Sequence, residues 1–207
     1  LHIGDSHSIA FAHQNINLFS KTTNIQPVLI LGGKAWHFAN NKKNRYKSSL
    51  KEQVKNHNHI DQIFISFGDI DCRENEGIIY YAMKYKKNIL EVAKNTVNQY
   101  VDYMESTLYS LYSTRYYFGF PAPMAKNENL SRLGLQRNKL VRSFNHFLKE
   151  EVLSRGCFFV DVYELTANKN GYNNQIHMCD KTHLSPICHS ILFENHLYKP
   201  ERLIKSK

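Results

Sequence analysis

Only four cysteines occur in 207 residues, and no two form a C-x-x-C pair, so neither a zinc ribbon nor a dense disulfide framework is written into this chain. Cys72, Cys157, Cys179 and Cys188 stand far apart, and two of them lie in or beside apolar runs, where reduced thiols are buried as small hydrophobes. That usage predicts a reduced, cytoplasmic setting. No run approaches the roughly 20 apolar residues that cross a bilayer, so no transmembrane segment is expected. The first residues also lack the basic segment, apolar stretch and small-residue cleavage site of a signal peptide. The chain opens at Leu1, not Met, directly in a strand-like run, so a longer parent protein is compatible with this start. Eleven histidines are present, yet no H-x-x-x-H pair sits with a carboxylate on a plausible helix, which argues against a metal site. No internal repeat, low-complexity linker or shift in composition marks a second domain, so residues 1–207 are expected to form one.

What the chain does have is material for a core: 42% of its residues are hydrophobic and 13% aromatic. Its formal charge of +9 raises the question of an acidic partner. The lysines are scattered, however, and only "KKNRYKSSLKEQVK" (42–55) and "KYKKN" (84–88) are dense. Neither matches a nucleic-acid module, so both read as solvated surface and no nucleic-acid partner is expected.

Short β-rich runs recur at 1–3, 27–31, 62–67, 115–120 and 157–163, each bounded by Gly, Pro, Asp or polar residues. They are continuous rather than alternating, as in parallel strands buried on both faces. Between them, Ile89, Ala93, Val97, Tyr100, Met104, Leu108 and Leu111 draw one apolar stripe along a helix over 87–113. Leu140, Phe144, Phe147, Leu148 and Val152 repeat that stripe before Gly156, a natural helix stop. Segments 8–19 and 46–56 supply two more helices, and a last one is expected around 186–198. The alternation predicts a doubly wound α/β sandwich with right-handed crossovers, whose sites gather at the carboxyl ends of the strands. Gly4-Asp5-Ser6, Gly32-Gly33, Gly68-Asp69-Ile70-Asp71 and Pro121-Ala122-Pro123 would all lie on that rim.

Ser6 follows the first strand, where it serves either as a helix cap or as a nucleophile. A serine nucleophile needs a base within hydrogen-bond reach and a third group to orient that base. Near the other end of the chain, "CDKTHLSP" holds Asp180 and His183 three residues apart, a spacing that lets the carboxylate hold the imidazole's tautomer. With Gly-Asp-Ser on the same rim, the three form a triad candidate.

"GDSHS" resembles block I, and "DKTH" block V, of the SGNH (GDSL-type) hydrolase superfamily. Gly32 or Gly33 resembles its block II glycine, and "FGDIDCR" (67–73) its block III. The resemblance spans nearly the whole chain. It implies a flavodoxin-like three-layer α/β sandwich with a central five-stranded parallel sheet. It implies Ser6 as nucleophile, His183 as general base and acid, and Asp180 as orienter. The N–H groups of Ser6 and the block II glycine, preferably Gly32, would meet the oxyanion. Block III departs from the family's Gly-x-Asn-Asp: Gly68-Asp69-Ile70-Asp71 puts an isoleucine where the family has a donor amide. Arg73 is the nearest cationic donor, so Gly68, Asp71 and Arg73 are candidate oxyanion or substrate groups, and His7 either contacts substrate or caps. The structural reading of "GDIDCR" is a strand-ending turn in which Asp71 and Arg73 pair with each other or with helix ends. Trp36 and His37 line an acyl or sugar pocket or pack in the core, and 127–132 form a lid over the site.

The resemblance implies a serine esterase or deacylase acting on an O-acyl ester, most plausibly O-acetyl on a small molecule or glycan, through an acyl-serine and without a cofactor. Two alternatives remain open. One is an O-acyltransferase of surface-polysaccharide modification that uses the same triad. The other is a catalytically weak carbohydrate-binding module. Oligomeric state is not legible.

Overall fold

The computed structural model describes residues 1–57, 59–111, 113–125 and 132–200. Its strands are β1 (His2–Gly4), β2 (Asn15–Leu18), β3 (Lys21–Asn24), β4 (Pro27–Leu29), β5 (Gln62–Ser66), β6 (Thr114–Phe118), β7 (Phe158–Val160) and β8 (Leu197–Tyr198). Its helices are α1 (Ala35–Ala39), α2 (Arg45–Asn56), α3 (Ile78–Lys84), α4 (Ile89–Leu108), α5 (Arg132–Ser154), α6 (Val162–Thr166) and α7 (His189–Asn195). The main sheet runs β4-β1-β5-β6-β7-β8, parallel throughout except for β8, which pairs antiparallel with β7. The five parallel strands are those the sequence predicts, in the doubly wound order. The sixth is a two-residue addition within the stretch expected to be helical.

Side chains alternate along each strand and so feed two separate cores. Ile63 and Ile65 on β5, Tyr117 on β6 and Phe159 on β7 enter one core, together with Val97, Tyr100 and Met104 of α4 and Phe144 and Leu148 of α5. Phe64, Tyr116, Phe118, Phe158 and Val160 enter the other, under Ile16 and Leu18 of β2, Leu165 of α6 and Leu192 of α7. The apolar stripes of α4 and α5 are the buried faces that the three-and-four spacing predicts.

The expected helix over 8–19 is not formed. A single 3₁₀ turn at Ser6–Ile9 gives way to the β2–β3 hairpin. Asn15-Ile16-Asn17-Leu18 alternates exposed and buried, a period of two that suits a strand. Phe19 and Ser20 both take positive φ, the backbone of a tight two-residue hairpin loop that Asn-Gly would normally announce. At the other end, 186–198 splits into a 3₁₀ turn, α7 and β8, and the run 157–163 ends as a strand at Val160 before α6 begins.

β1 lies between β4 and β5, and its approach to β5 is close. A Cβ on Gly4 would stand 2.1 Å from Ser66 Oγ and 2.5 Å from the Ser66 carbonyl oxygen. Gly4→Ala is expected to lower stability by about 1–3 kcal/mol in urea unfolding, the usual range for overpacking. A loss below about 0.5 kcal/mol would contradict this closeness.

Candidate active site

Ser6 is the first residue of the 3₁₀ turn beyond β1, and Asp5, not Ser6, caps that turn. Asp5 Oδ1 accepts the His7 N–H at 3.0 Å, the Asp5 carbonyl accepts from Ser8, and the Asp5 N–H donates to the Ser66 carbonyl at 3.1 Å. The Ser6 hydroxyl is thereby released from capping. It lies 2.9 Å from His183 Nε2 across 177 residues of chain.

His183 is held by a loop that is itself well tied. Met178 and Leu184 form an isolated antiparallel bridge, the Cys179 N–H donates to the His183 carbonyl, and Leu184 is buried in the second core. Asp180 Oδ1 accepts the backbone N–H groups of Thr182 at 2.6 Å and His183 at 2.7 Å. Its Oδ2 lies 2.7 Å from His183 Nδ1. These bonds, the one to the imidazole foremost, hold the Asp180 carboxyl down at about 2. The spacing of Asp180 and His183 therefore orients the ring with Nε2 facing Ser6.

On the opposite wall, the two glycines differ. The Gly33 N–H closes a turn onto the Ile30 carbonyl at 2.9 Å, and a Cβ there would strike the Phe67 ring at 2.7 Å. Gly32 takes φ +70°, and among the described residues its N–H, like that of Ser6, has no protein acceptor. Gly68, with φ +136°, is required for packing, since a Cβ would meet Phe120 and Phe144.

Block III resolves into separate roles. Ile70 is partly buried in the 3₁₀ turn Ile70–Cys72 and belongs to neither core. Asp71 does not pair with Arg73. Its buried carboxylate accepts the N–H groups of Ala35 at 2.8 Å and Trp36 at 2.9 Å, latching the first turn of α1 and the glycine loop before it to the end of β5. Each of its oxygens accepts one backbone N–H, which makes Asp71 a structural latch, and it also lines the cleft beside α1. Arg73 faces Asp69 at 3.5 Å and Glu76 at 3.2 Å, and Glu76 in turn holds Lys34 at 3.0 Å. His7 Nε2 stands 3.9 Å from Asp69, is buried without a hydrogen-bond partner, and its ring lies 5.3 Å from the His183 ring. Burial opposes charge on His7, but Asp69 and Asp5 outweigh it and raise its pKa. Burial likewise opposes charge on Asp69, yet His7, Arg73 and Arg137 keep its pKa low.

His37 lines the cleft beside α1, though its ring is engaged within the protein. It stacks on Tyr46 at 3.9 Å, accepts the Lys34 N–H, and is lowered to about 4, chiefly by burial. Trp36 is 41% exposed and lines, with Tyr80 and Tyr81, the same cleft of about 260 Å3 beside α1. Of the expected lid, residues 127–131 lie outside the described residues, and Arg132 begins α5. Sequence reasoning missed the Asp5 cap and the side chain of Arg137, which no motif marks.

No protein-family model matches this chain, and no curated protein matches its sequence. Solved structures do. A protein described as a platelet activating factor from Streptococcus pneumonia aligns with TM-score 0.56 and 18% identity, over 93% of this chain and 79% of that one. An acetyl xylan esterase, AlAXEase, aligns with TM-score 0.51 and 13% identity, over 94% of this chain and 96% of that one. TesA aligns with TM-score 0.50 and 11% identity, over 94% and 93%. What is shared is the fold. The α/β sandwich expected from the sequence is therefore borne out at the level of architecture.

Burial pushes the Asp71 carboxyl up to about 7 against the pull of its two N–H donors. A carboxyl raised in the folded state stabilises the fold below its unfolded pKa, about 4, and that contribution is lost as pH rises toward about 7. In urea unfolding, the stability of wild type minus that of Asp71→Asn should therefore fall across this window. A flat or rising difference would remove the assignment.

Proposed function

We propose that this protein is a serine esterase that hydrolyses an O-acyl ester through an acyl-serine, with an O-acetyl group on a carbohydrate as the substrate class. The observation that carries this reading is the 2.9 Å contact of Ser6 Oγ with His183 Nε2, backed by Asp180 Oδ2 at 2.7 Å from His183 Nδ1. His183 takes the Ser6 proton as the oxygen attacks the ester carbonyl, and Asp180 stabilises the imidazolium. The tetrahedral oxyanion is met by the unspent N–H groups of Ser6 and Gly32. On collapse the alcohol leaves with the proton from His183. Water then attacks the acyl-serine with His183 as base, releasing the acid and restoring Ser6.

Ile70 leaves the position of a third donor without a polar group. We assign that part to His7, whose Nε2 is unspent and whose charged form is favoured by Asp69 and Asp5. Arg73 is the weaker claimant, because Asp69 and Glu76 already hold it. Two facts support a carbohydrate. The cleft beside the glycine loop carries exposed aromatic rings, Trp36 and Tyr80, suited to a sugar face, and a protein of similar fold is an acetyl xylan esterase.

A serine-reactive fluorophosphonate should label wild type and leave Ser6→Ala unlabelled. No labelling of wild type, or equal labelling of both, overturns the assignment. With p-nitrophenyl acetate, Asp180→Asn should lower kcat by about 100- to 10,000-fold. The His7 imidazolium loses its proton as pH rises through its raised pKa, so kcat/KM should decline on the alkaline side. That decline should vanish in His7→Asn, and its persistence there would remove His7 from the oxyanion site.

A further inference from the structure

A cleft of about 360 Å3 lies between the segment after β6, α5 and the loop that carries His183. Its polar lining is Asp69, Arg137, Lys181 and Thr182. Asp69 is already neutralised by Arg73 at 3.5 Å and by His7 at 3.9 Å. Neither cation is held in an ion pair among the described residues, although Arg137 also acts on Asp69 at longer range. Among the described residues no carboxylate lies within ion-pair distance of Arg137, its Nε is buried without an acceptor, and Lys181 likewise has no ion-pair partner. A guanidinium nitrogen removed from water and left unpaired is costly, and an acceptor from outside the chain would relieve that cost. Lys181 and Thr182 lie in the loop between Asp180 and His183, so the cleft is lined by the same short loop that holds the His183 imidazole.

We propose that this cleft is a subsite for an acidic group on the ester substrate, a carboxylate or phosphate carried by the sugar, gripped by Arg137 with Lys181 across from it. The proposal rests on the esterase reading and narrows its substrate to an acidic glycan. A planar guanidinium fork matches the paired oxygens of either anion, and the mobile ammonium of Lys181 adds charge without fixed geometry. The neighbouring cleft of about 280 Å3 on the far side of Arg137 is the poorer choice. It is walled by Glu74 and Glu76, of which only Glu76 is paired with cations, and an anion there would face Glu74. No residue of the dense lysine runs at 42–55 and 84–88 lines this subsite.

The test is equilibrium binding to Ser6→Ala protein by calorimetry, with three probes: an oligogalacturonate, a phosphorylated oligosaccharide and a neutral xylo-oligosaccharide. At least one acidic probe should bind about tenfold or more tightly than the neutral one, and the tighter of the two names the anion. Arg137→Gln should abolish that preference, Lys181→Gln should reduce it several-fold, and Arg137→Lys should retain part of it. Lys42→Gln, a remote surface lysine, should leave it unchanged. Equal binding of acidic and neutral probes overturns the subsite, as does a preference that survives Arg137→Gln or is lost equally in Lys42→Gln. Lys181 is exposed, so its variant remains informative even if Arg137→Gln fails to fold. Failure of the esterase reading would show instead as absent fluorophosphonate labelling of wild type with the acid preference intact.

Discussion

The site depends on β1, a strand of three residues bonded on both sides, with His2, Ile3 and Gly4 paired to Pro27–Leu29 of β4 and to Phe64, Ile65 and Ser66 of β5. The chain leaves this strand under restraint. The Ile30 N–H reaches the Gly4 carbonyl at 2.7 Å from one neighbour, and the Asp5 N–H reaches the Ser66 carbonyl from the other. Ser6 follows one residue later, so the register of β1 sets the height of its hydroxyl above the sheet. A slip of one residue would turn Ile3 out of its core and carry Ser6 away from His183. Gly4 is the point at which this register meets the packing limit, because β5 leaves no room there for a side chain.

Around that strand the protein buries more charge than a core of this size accommodates without organisation. Asp5, Asp69 and Asp71 are each almost fully buried. Each is answered differently: Asp5 by the first turn after β1, Asp71 by the first turn of α1, and Asp69 by His7 and Arg73. The ion pairs continue from Arg73 through Glu76 to Lys34, the residue just before α1. Two routes, the Asp71 latch and this chain of charges, therefore bind the glycine loop to the end of β5. The loop that presents the Gly32 N–H is thus held through both routes by groups distant from it in sequence. Arg137 supports Asp69 at longer range and, among the described residues, has no ion-pair partner.

Much of this was legible in the sequence, and the exceptions share a cause. The parallel strands and the long helices α4 and α5 carry strong periodicity, since each buries a face or stripe against a large core. Segment 8–19 misled because its hydrophobic residues admit either period. The hairpin won through the burial of Ile16 and Leu18 under the second core and a turn of unusual composition. Short helices such as α1 and α3 have too few turns to show a stripe at all, and α1 is held by Asp71, 35 to 36 residues away. At the site, the motifs at both ends of the chain named Ser6, Asp180 and His183, whereas the division of labour in "GDIDCR" could not be read from adjacent letters. Asp69, Asp71 and Arg73 are near neighbours in sequence, yet they face a histidine, a helix end and a glutamate.

By itself the sequence determined the fold class, the rim on which polar residues gather, and the residue types present there, because these follow from local periodicity and from chain order across a parallel sheet. It also set the local geometry of Asp180 and His183, whose pairing needs only three residues of backbone. Tertiary structure alone decided that Asp5 takes the capping role and frees Ser6, that Asp71 serves as a latch, and that Arg137, without an ion-pair partner among the described residues, faces the same cleft as Asp69. Each of these outcomes depends on which donors and acceptors meet across strands and loops distant in sequence. A buried polar group takes the partner that packing brings to it, and packing is a property of the whole chain.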